Sequence, residues 1–322
     1  MSSLVGTTAL LTTCGGAQIV RGNNHVCFAE TKTSLKDTEV RSFWPEDWFD
    51  LLFHGFDRYS KIPKHRPQVC TEKLLTWPRP KQCLVHEPRP TVLERTPISE
   101  KDLVFSPVGK DRRLVWAIVR RYDNGEAAGA VAITEFTPHG VAVHTIGTLR
   151  APGQRVRMEL KRTDEGRVLL VEGQLCAEDS DTACPRFVRA LLVRGRQFMP
   201  VPLTNKAGEC QGPAYFPLSR SATKSLEGGF ERRYVMNSTV SVKRSGIIVH
   251  EQLTVHDINL SQPETAPQLR RSAEIERLVR VVGGRLIPES ASLWHRVEVE
   301  TGTVPTMSSD KKGDSLLAPS VL

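Results

Sequence analysis

The sequence predicts a mainly β protein: an antiparallel β-sandwich or barrel-like meander with a few short helices, stapled by disulfides. Three observations lead there. Alternating or β-branched segments follow one another through the middle of the chain, glycine-ended turns separate them, and seven cysteines accompany them. The length of 322 residues gives ample chain for a core, and 39% hydrophobic with 25% charged residues excludes a wholly disordered protein. No run of eighteen apolar residues occurs, so no helical membrane span is expected.

The predicted strands cover 114–122, 129–137, 140–147, 155–162 and 167–175, then 187–194, 198–203, 230–242 and 246–255. Asp123-Asn124-Gly125, Pro138-His139-Gly140 and Asp164-Glu165-Gly166 end in a residue that accepts positive φ, and Lys243-Arg244-Ser245-Gly246 turns the last hairpin. In Arg155–Lys161, Val156, Met158 and Leu160 alternate with charged residues, which puts the three inside and the charges outside. Short connections mean that neighbours pair antiparallel.

Ahead of this β region, 43–59 reads as a short helix. Pro45 suits its first turn, Glu46 and Asp47 complement its positive end, and Trp48, Leu52, Phe56 and Tyr59 form an apolar face for the protein's own core. Seven of the chain's 21 prolines lie between 61 and 97, so that stretch is expected to be an extended, wrapping connector. Beyond the strands, Ile275, Leu278, Val279 and Val282 share a helical face. A helix over 267–282, ended by Gly283-Gly284, is therefore expected, followed by a strand at 293–299. The expected organisation is a signal-peptide remnant at 1–13, an irregular region at 14–100, a β domain at 101–300 and a disordered tail at 301–322.

Catalytic strings are missing: no phosphate-binding glycine loop, no G-x-S-x-G and no H-E-x-x-H occurs. His250 and Glu251 begin like the zinc motif, but a predicted strand does not bring residues four apart together. His250 and His256 would stand roughly 20 Å apart along it. His139 and His144 fall on opposite faces. Cys176–Cys184 encloses Glu178, Asp179 and Asp181; with too few assured oxygen ligands for Ca²⁺, a solvated hairpin tip is expected. No metal site and no cofactor are expected.

The net charge is +8. Arg112, Arg113, Arg120, Arg121, Arg155, Arg157, Arg162, Arg232 and Arg233 are spread along strands without interleaved aromatics. That pattern argues against nucleic acid as a partner and fits anionic lipid or an anionic envelope polymer. Asn237-Ser238-Thr239 fits a glycosylation sequon.

Up to Cys14 the chain is uncharged, and Leu11-Thr12-Thr13-Cys14 leads small residues into a cysteine. This resembles the lipobox of bacterial lipoproteins. The resemblance covers about the first fourteen residues, and it implies cleavage before Cys14 and lipidation of its thiol. Thr13 stands where Gly, Ala or Ser is usual, and the basic residues of a signal peptide are missing; a start upstream of Met1 would account for the latter. With Gly15 and Gly16 rather than Asp after Cys14, the same resemblance implies the periplasmic face of the outer membrane. Setting Cys14 aside leaves six cysteines, an even set suited to an oxidising compartment. Cys70 with Cys83, Cys176 with Cys184, and Cys27 with Cys210 form the most economical of the possible pairings.

The resulting expectation is a membrane-tethered envelope lipoprotein with a binding or structural role and an anionic polymer or another envelope protein as partner. The alternatives are an envelope hydrolase whose site is assembled from distant residues, and a cytosolic basic protein that binds nucleic acid.

Overall fold

The computed structural model describes residues 18–21, 27–30, 44–53, 55–63, 75, 77, 83–84, 91–92, 97–137, 140–176 and 184–302; at 18–21, 27–30 and 62–63 only the backbone is described. The first elements are β1 (Gln18–Arg21), β2 (Cys27–Glu30), α1 (Pro45–Leu52), β3 (Phe56–Asp57) and β4 (Ile62–Pro63). Then come β5 (Leu103–Val108), β6 (Arg112–Arg121), β7 (Glu126–Thr137), β8 (Gly140–Pro152), β9 (Gln154–Thr163) and β10 (Gly166–Gln174). They are followed by β11 (Arg186–Arg194), β12 (Gln197–Pro200), β13 (Pro202–Thr204), β14 (Cys210–Pro213), β15 (Tyr215–Pro217) and β16 (Ser219–Leu226). The chain closes with β17 (Phe230–Lys243), β18 (Gly246–Asn259), β19 (Gln268–Val282), β20 (Arg285–Pro288) and α2 (Leu293–Thr301).

The protein is mainly β, with strands paired chiefly antiparallel in a near-barrel. In the larger sheet the order is β5-β6-β7-β8-β12-β11-β10-β9, and its two edges curl toward each other until the Met158 amide of β9 donates to Ser106 Oγ of β5 at 3.4 Å. Strands β5 to β8 and β9 to β12 are two meanders, joined by a parallel contact that sets Gln197 beside Ile146. The interior is filled by Trp116, Met158, Leu169, Leu191 and Phe198, with Val156 and Leu160 packed against them as their alternation requires. Burying each such side chain contributes roughly 1.5–3 kcal/mol.

A second sheet, ordered β14-β13-β20-β19-β18-β17-β16, lies against the outer face of β10 and β11. Ile247, Val249, Val279 and Leu286 meet Val168, Leu170 and Ala190 there. Further along the same face, Leu253 and Val255 of β18 pack with Tyr234, Met236 and α2 residues Trp294 and Val297. Outside the barrel, α1 buries Trp48, Phe49 and Leu52 against Val115, Ala130, Ala132 and Val143, which is the core role its apolar face predicts. Its start is fixed by Pro45 in the first turn and by Asp47, whose carboxylate accepts from the Trp44 amide at 3.0 Å and pairs with Arg58 at 2.9 Å. The helix is shorter than the sequence suggests, since 56–57 forms β3.

Two sequence expectations reverse at the C-terminal end. Residues 268–282, read as a helix, form β19. The residues that decide it are Ala273, Ile275, Arg277 and Val279, which alternate along one face opposite Leu253, Glu251, Val249 and Ile247 of β18. Gly283-Gly284 ends no helix: both residues take positive φ, 56° and 88°, and turn the β19–β20 hairpin. Residues 293–299, read as a strand, form α2. Ser292 caps it by accepting from the Trp294 amide at 3.1 Å, and Gly302 closes it in the left-handed conformation. Both segments carry patterns compatible with either period, and contacts with β18 chose between them. Of the tail expected to be disordered from 301, Thr301 and Gly302 instead end α2, and 303–322 lie outside the described residues.

Candidate functional site

Cys14 and Cys70 lie outside the described residues, and Cys27 sits on β2, where only backbone is described. Cys176 and Cys184 are bonded, as their spacing suggests, with Cα atoms 5.3 Å apart; the acidic loop they close lies outside the described residues. Cys83 is bonded to Cys210 of β14, Cα to Cα 6.0 Å, across 127 positions of sequence. This overturns two expected pairings, Cys70 with Cys83 and Cys27 with Cys210. The physical reason is where Cys83 lies, against β13 and β14 of the second sheet, which brings it to Cys210. Cys83 Sγ sits 3.3 Å from the Gly212 amide, and the Leu84 carbonyl next to it accepts from Arg189 at 3.2 Å.

A buried group of ionisable side chains lies where β7 begins and β8 ends. Glu126 is the first residue of β7 and Arg150 is near the end of β8, while Tyr215 and Arg189 arrive from β15 and β11. The Glu126 carboxylate accepts from Arg150 Nε at 2.8 Å, from Asn124 Nδ2 at 3.1 Å and from the Tyr215 hydroxyl. Arg150 stands over the Tyr122 ring, 4.3 Å from its centre, and Arg189 over Tyr215 at 4.8 Å. The Asn124-Gly125 turn is held tightly there: Gly125 has φ +80°, and a Cβ on it would fall 2.5 Å from the Cys176 backbone. The Cys176 backbone, at one end of the Cys176–Cys184 disulfide, thus packs so closely on the turn that carries this cluster that only glycine fits there.

Electrostatics fix the protonation states. Burial pushes the Glu126 carboxyl up, but the charge of Arg150 and the hydrogen bonds from Tyr215, Asn124 and Arg150 outweigh it and hold the group below its ordinary 4.5. Tyr215 goes the other way: burial, then the neighbouring Glu126 charge, raise it well above 10, so it stays a donor. Arg189 is 2% exposed and lowered by burial, and its Nε and Nη1 have no hydrogen-bond partner among the described residues. Two guanidiniums thus face one carboxylate. With the phenol donating and the carboxylate accepting, the cluster has no activated nucleophile; it clamps four strands and the connector together.

A second buried carboxylate does similar work. Glu251 of β18 accepts from the Leu293 amide at 2.7 Å and from Ser292 Oγ at 2.9 Å, and pairs with Arg277. It anchors the first turn of α2 to the sheet and complements the positive end of the helix. The histidines weighed from sequence do not converge. His250 pairs with Glu274 at 3.1 Å on the outer face of the second sheet, His144 with Glu135 at 2.7 Å, and His139 lies outside the described residues.

Sequence reasoning missed the Glu126 cluster. Its signal was present as isolated charges in apolar runs, Glu126 before Ala127-Ala128 and Arg189 between Val188 and Ala190, without indication that they meet. Among the described residues, no group of three or more His, Cys, Asp or Glu is placed to hold a metal ion, and no helix is long and apolar enough to cross a membrane. No protein-family model, curated protein or solved structure matches this chain.

Proposed function

We propose that this chain is an envelope lipoprotein, acylated at Cys14 and held on a membrane, whose β domain has a binding or structural role. The observation that carries the reading is the cysteine inventory. Cys14 ends the lipobox-like Leu11-Thr12-Thr13 string, while Cys83, Cys210, Cys176 and Cys184 are already committed to two disulfides. Disulfides persist in oxidising compartments, and a lipidated first residue keeps an exported domain at a membrane without a spanning helix. The buried clusters favour a rigid scaffold: their ionised groups are used in tying strands to one another.

Cell fractionation of a bacterial host tests this. The wild-type chain is expected in the membrane pellet and resistant to a high-salt wash. Cys14→Ser is expected to lose acylation and to be released by that wash. Equal, salt-resistant retention of both proteins would remove the anchor from the proposal.

A further inference from the structure

Four hairpin turns come together at one end of the molecule. The β9–β10 turn meets the β17–β18 turn through the Asp164 amide, which donates to the Arg244 carbonyl at 2.8 Å. The β11–β12 turn adjoins it, because Arg167 lies opposite Val193 in the β10–β11 ladder. The β19–β20 turn completes the group: a Cβ on Gly284 would fall 2.7 Å from the guanidinium of Arg194.

These turns carry Arg162, Arg167, Arg194, Arg196, Lys243, Arg244 and Arg285, all exposed, against Asp164 and Glu165. Lys243 is paired with Glu276 at 3.5 Å. Arg162, Arg167, Arg194, Arg244 and Arg285 are in no ion pair among the described residues. Elsewhere among the described residues most arginines have carboxylate partners, as in Arg58 with Asp50, Arg121 with Asp102, Arg232 with Asp257 and Arg280 with Glu289, while Arg113, Arg120 and Arg189 instead lie over aromatic rings. What sets this end apart is that five arginines in no such pair sit together on adjoining tight turns, where they generate a field that attracts an extended anionic surface.

The chain's amino-terminal strands lie toward the same end. Because β8 and β12 run parallel with Gln197 beside Ile146, the part of β8 before Ile146 extends past the first residue of β12, in the direction of the β11–β12 turn. β2 pairs with that extension, Glu30 opposite Gly140, and β1 with β2, Gln18 opposite Glu30. Gln18 is four residues after Cys14, a covalent reach of at most about 14 Å.

We propose that this four-turn basic end is the face the protein lays on an anionic lipid bilayer. The proposal rests on the lipoprotein reading for its biological setting, but the surface is testable without the anchor. The full chain carrying Cys14→Ser is mixed with vesicles of phosphatidylcholine alone, or of phosphatidylcholine with phosphatidylglycerol, and bound protein is measured by co-sedimentation at low and high salt. Binding only to the phosphatidylglycerol vesicles, weakening as salt rises, is expected. Adding Arg194→Glu with Arg244→Glu is expected to weaken binding at least about tenfold. Lys224→Glu with Arg233→Glu, the same change in net charge on β16 and β17 away from the turns, is expected to leave it within about twofold. Thermal unfolding checks that each variant folds; should a Glu variant unfold, the corresponding Gln variant replaces it.

The proposal is overturned by no retention on phosphatidylglycerol vesicles at low salt, by equal losses in both double variants, or by salt-sensitive binding to duplex DNA with none to vesicles. Acylation is read separately, by mass at Cys14. Failure of the surface thus leaves the anchor standing, and failure of the anchor leaves the surface standing.

Discussion

At the scale of single residues, Glu126 is the position on which most depends. Among the described residues it is the only carboxylate in contact with Arg150, and it is an acceptor for Tyr215, so Glu126→Gln leaves two guanidiniums near one another without that counter-charge. A loss of about 3–5 kcal/mol is expected, measured by urea unfolding at neutral pH. The pH dependence has a definite sign. The folded carboxyl lies below its ordinary 4.5, so its contribution is fully present above that value and is lost as pH falls through the lower folded value. Wild-type stability should therefore fall on acidification below about 4.5, with a shallower slope in Glu126→Gln; parallel slopes would remove Glu126 from the account. Nothing in the local sequence announces this residue, because its partners come from β8 and β15 and from the turn before it. Alternation could place Met158 inside the barrel, but it carries no information on which distant charge a buried charge meets.

At the scale of elements, the reversal at β19 and α2 shows what local pattern leaves open. Ile275, Leu278, Val279 and Val282 satisfy a helical period, yet the alternating Ala273, Ile275, Arg277 and Val279 line up with β18 and make a strand. The pairing is long-range, and it is the pairing that selects the period. Strands β6 to β11, by contrast, were legible because both sheet faces and both turns of each hairpin are written in adjacent residues. The disulfides divide in the same way: Cys176–Cys184 is local and readable, whereas Cys83–Cys210 joins residues 127 positions apart. On chain-entropy grounds, Cys83→Ser with Cys210→Ser should cost about 5 kcal/mol, and Cys176→Ser with Cys184→Ser about 2.5 kcal/mol. Unfolding of the two double variants checks the order, and an equal or reversed loss would show that the long bond does not set the chain's stability. Peptide mapping without reductant should also recover Cys27 joined to Cys70, the pair left by count.

At the scale of the whole molecule, the parallel contact between β8 and β12 joins the two meanders into one near-barrel, and the second sheet and α2 build outward from it. The near-barrel itself was legible as a class, from strand number and short turns. Its closure through β12, and a second sheet on the outer face of β10 and β11, were not, since both require contacts between segments far apart in sequence. The same arrangement sets the basic turns and the amino-terminal strands toward one end, while the β16–β17 turn stands at the other end of the second sheet. Acylation of Cys14 is the central proposal, and intact mass of the protein from the native membrane fraction, with and without reduction before alkylation, tests it most directly. The expected result is loss of the first thirteen residues, an added acyl mass, and six cysteines that react only after reduction. An unprocessed Met1 with seven alkylatable thiols would contradict it.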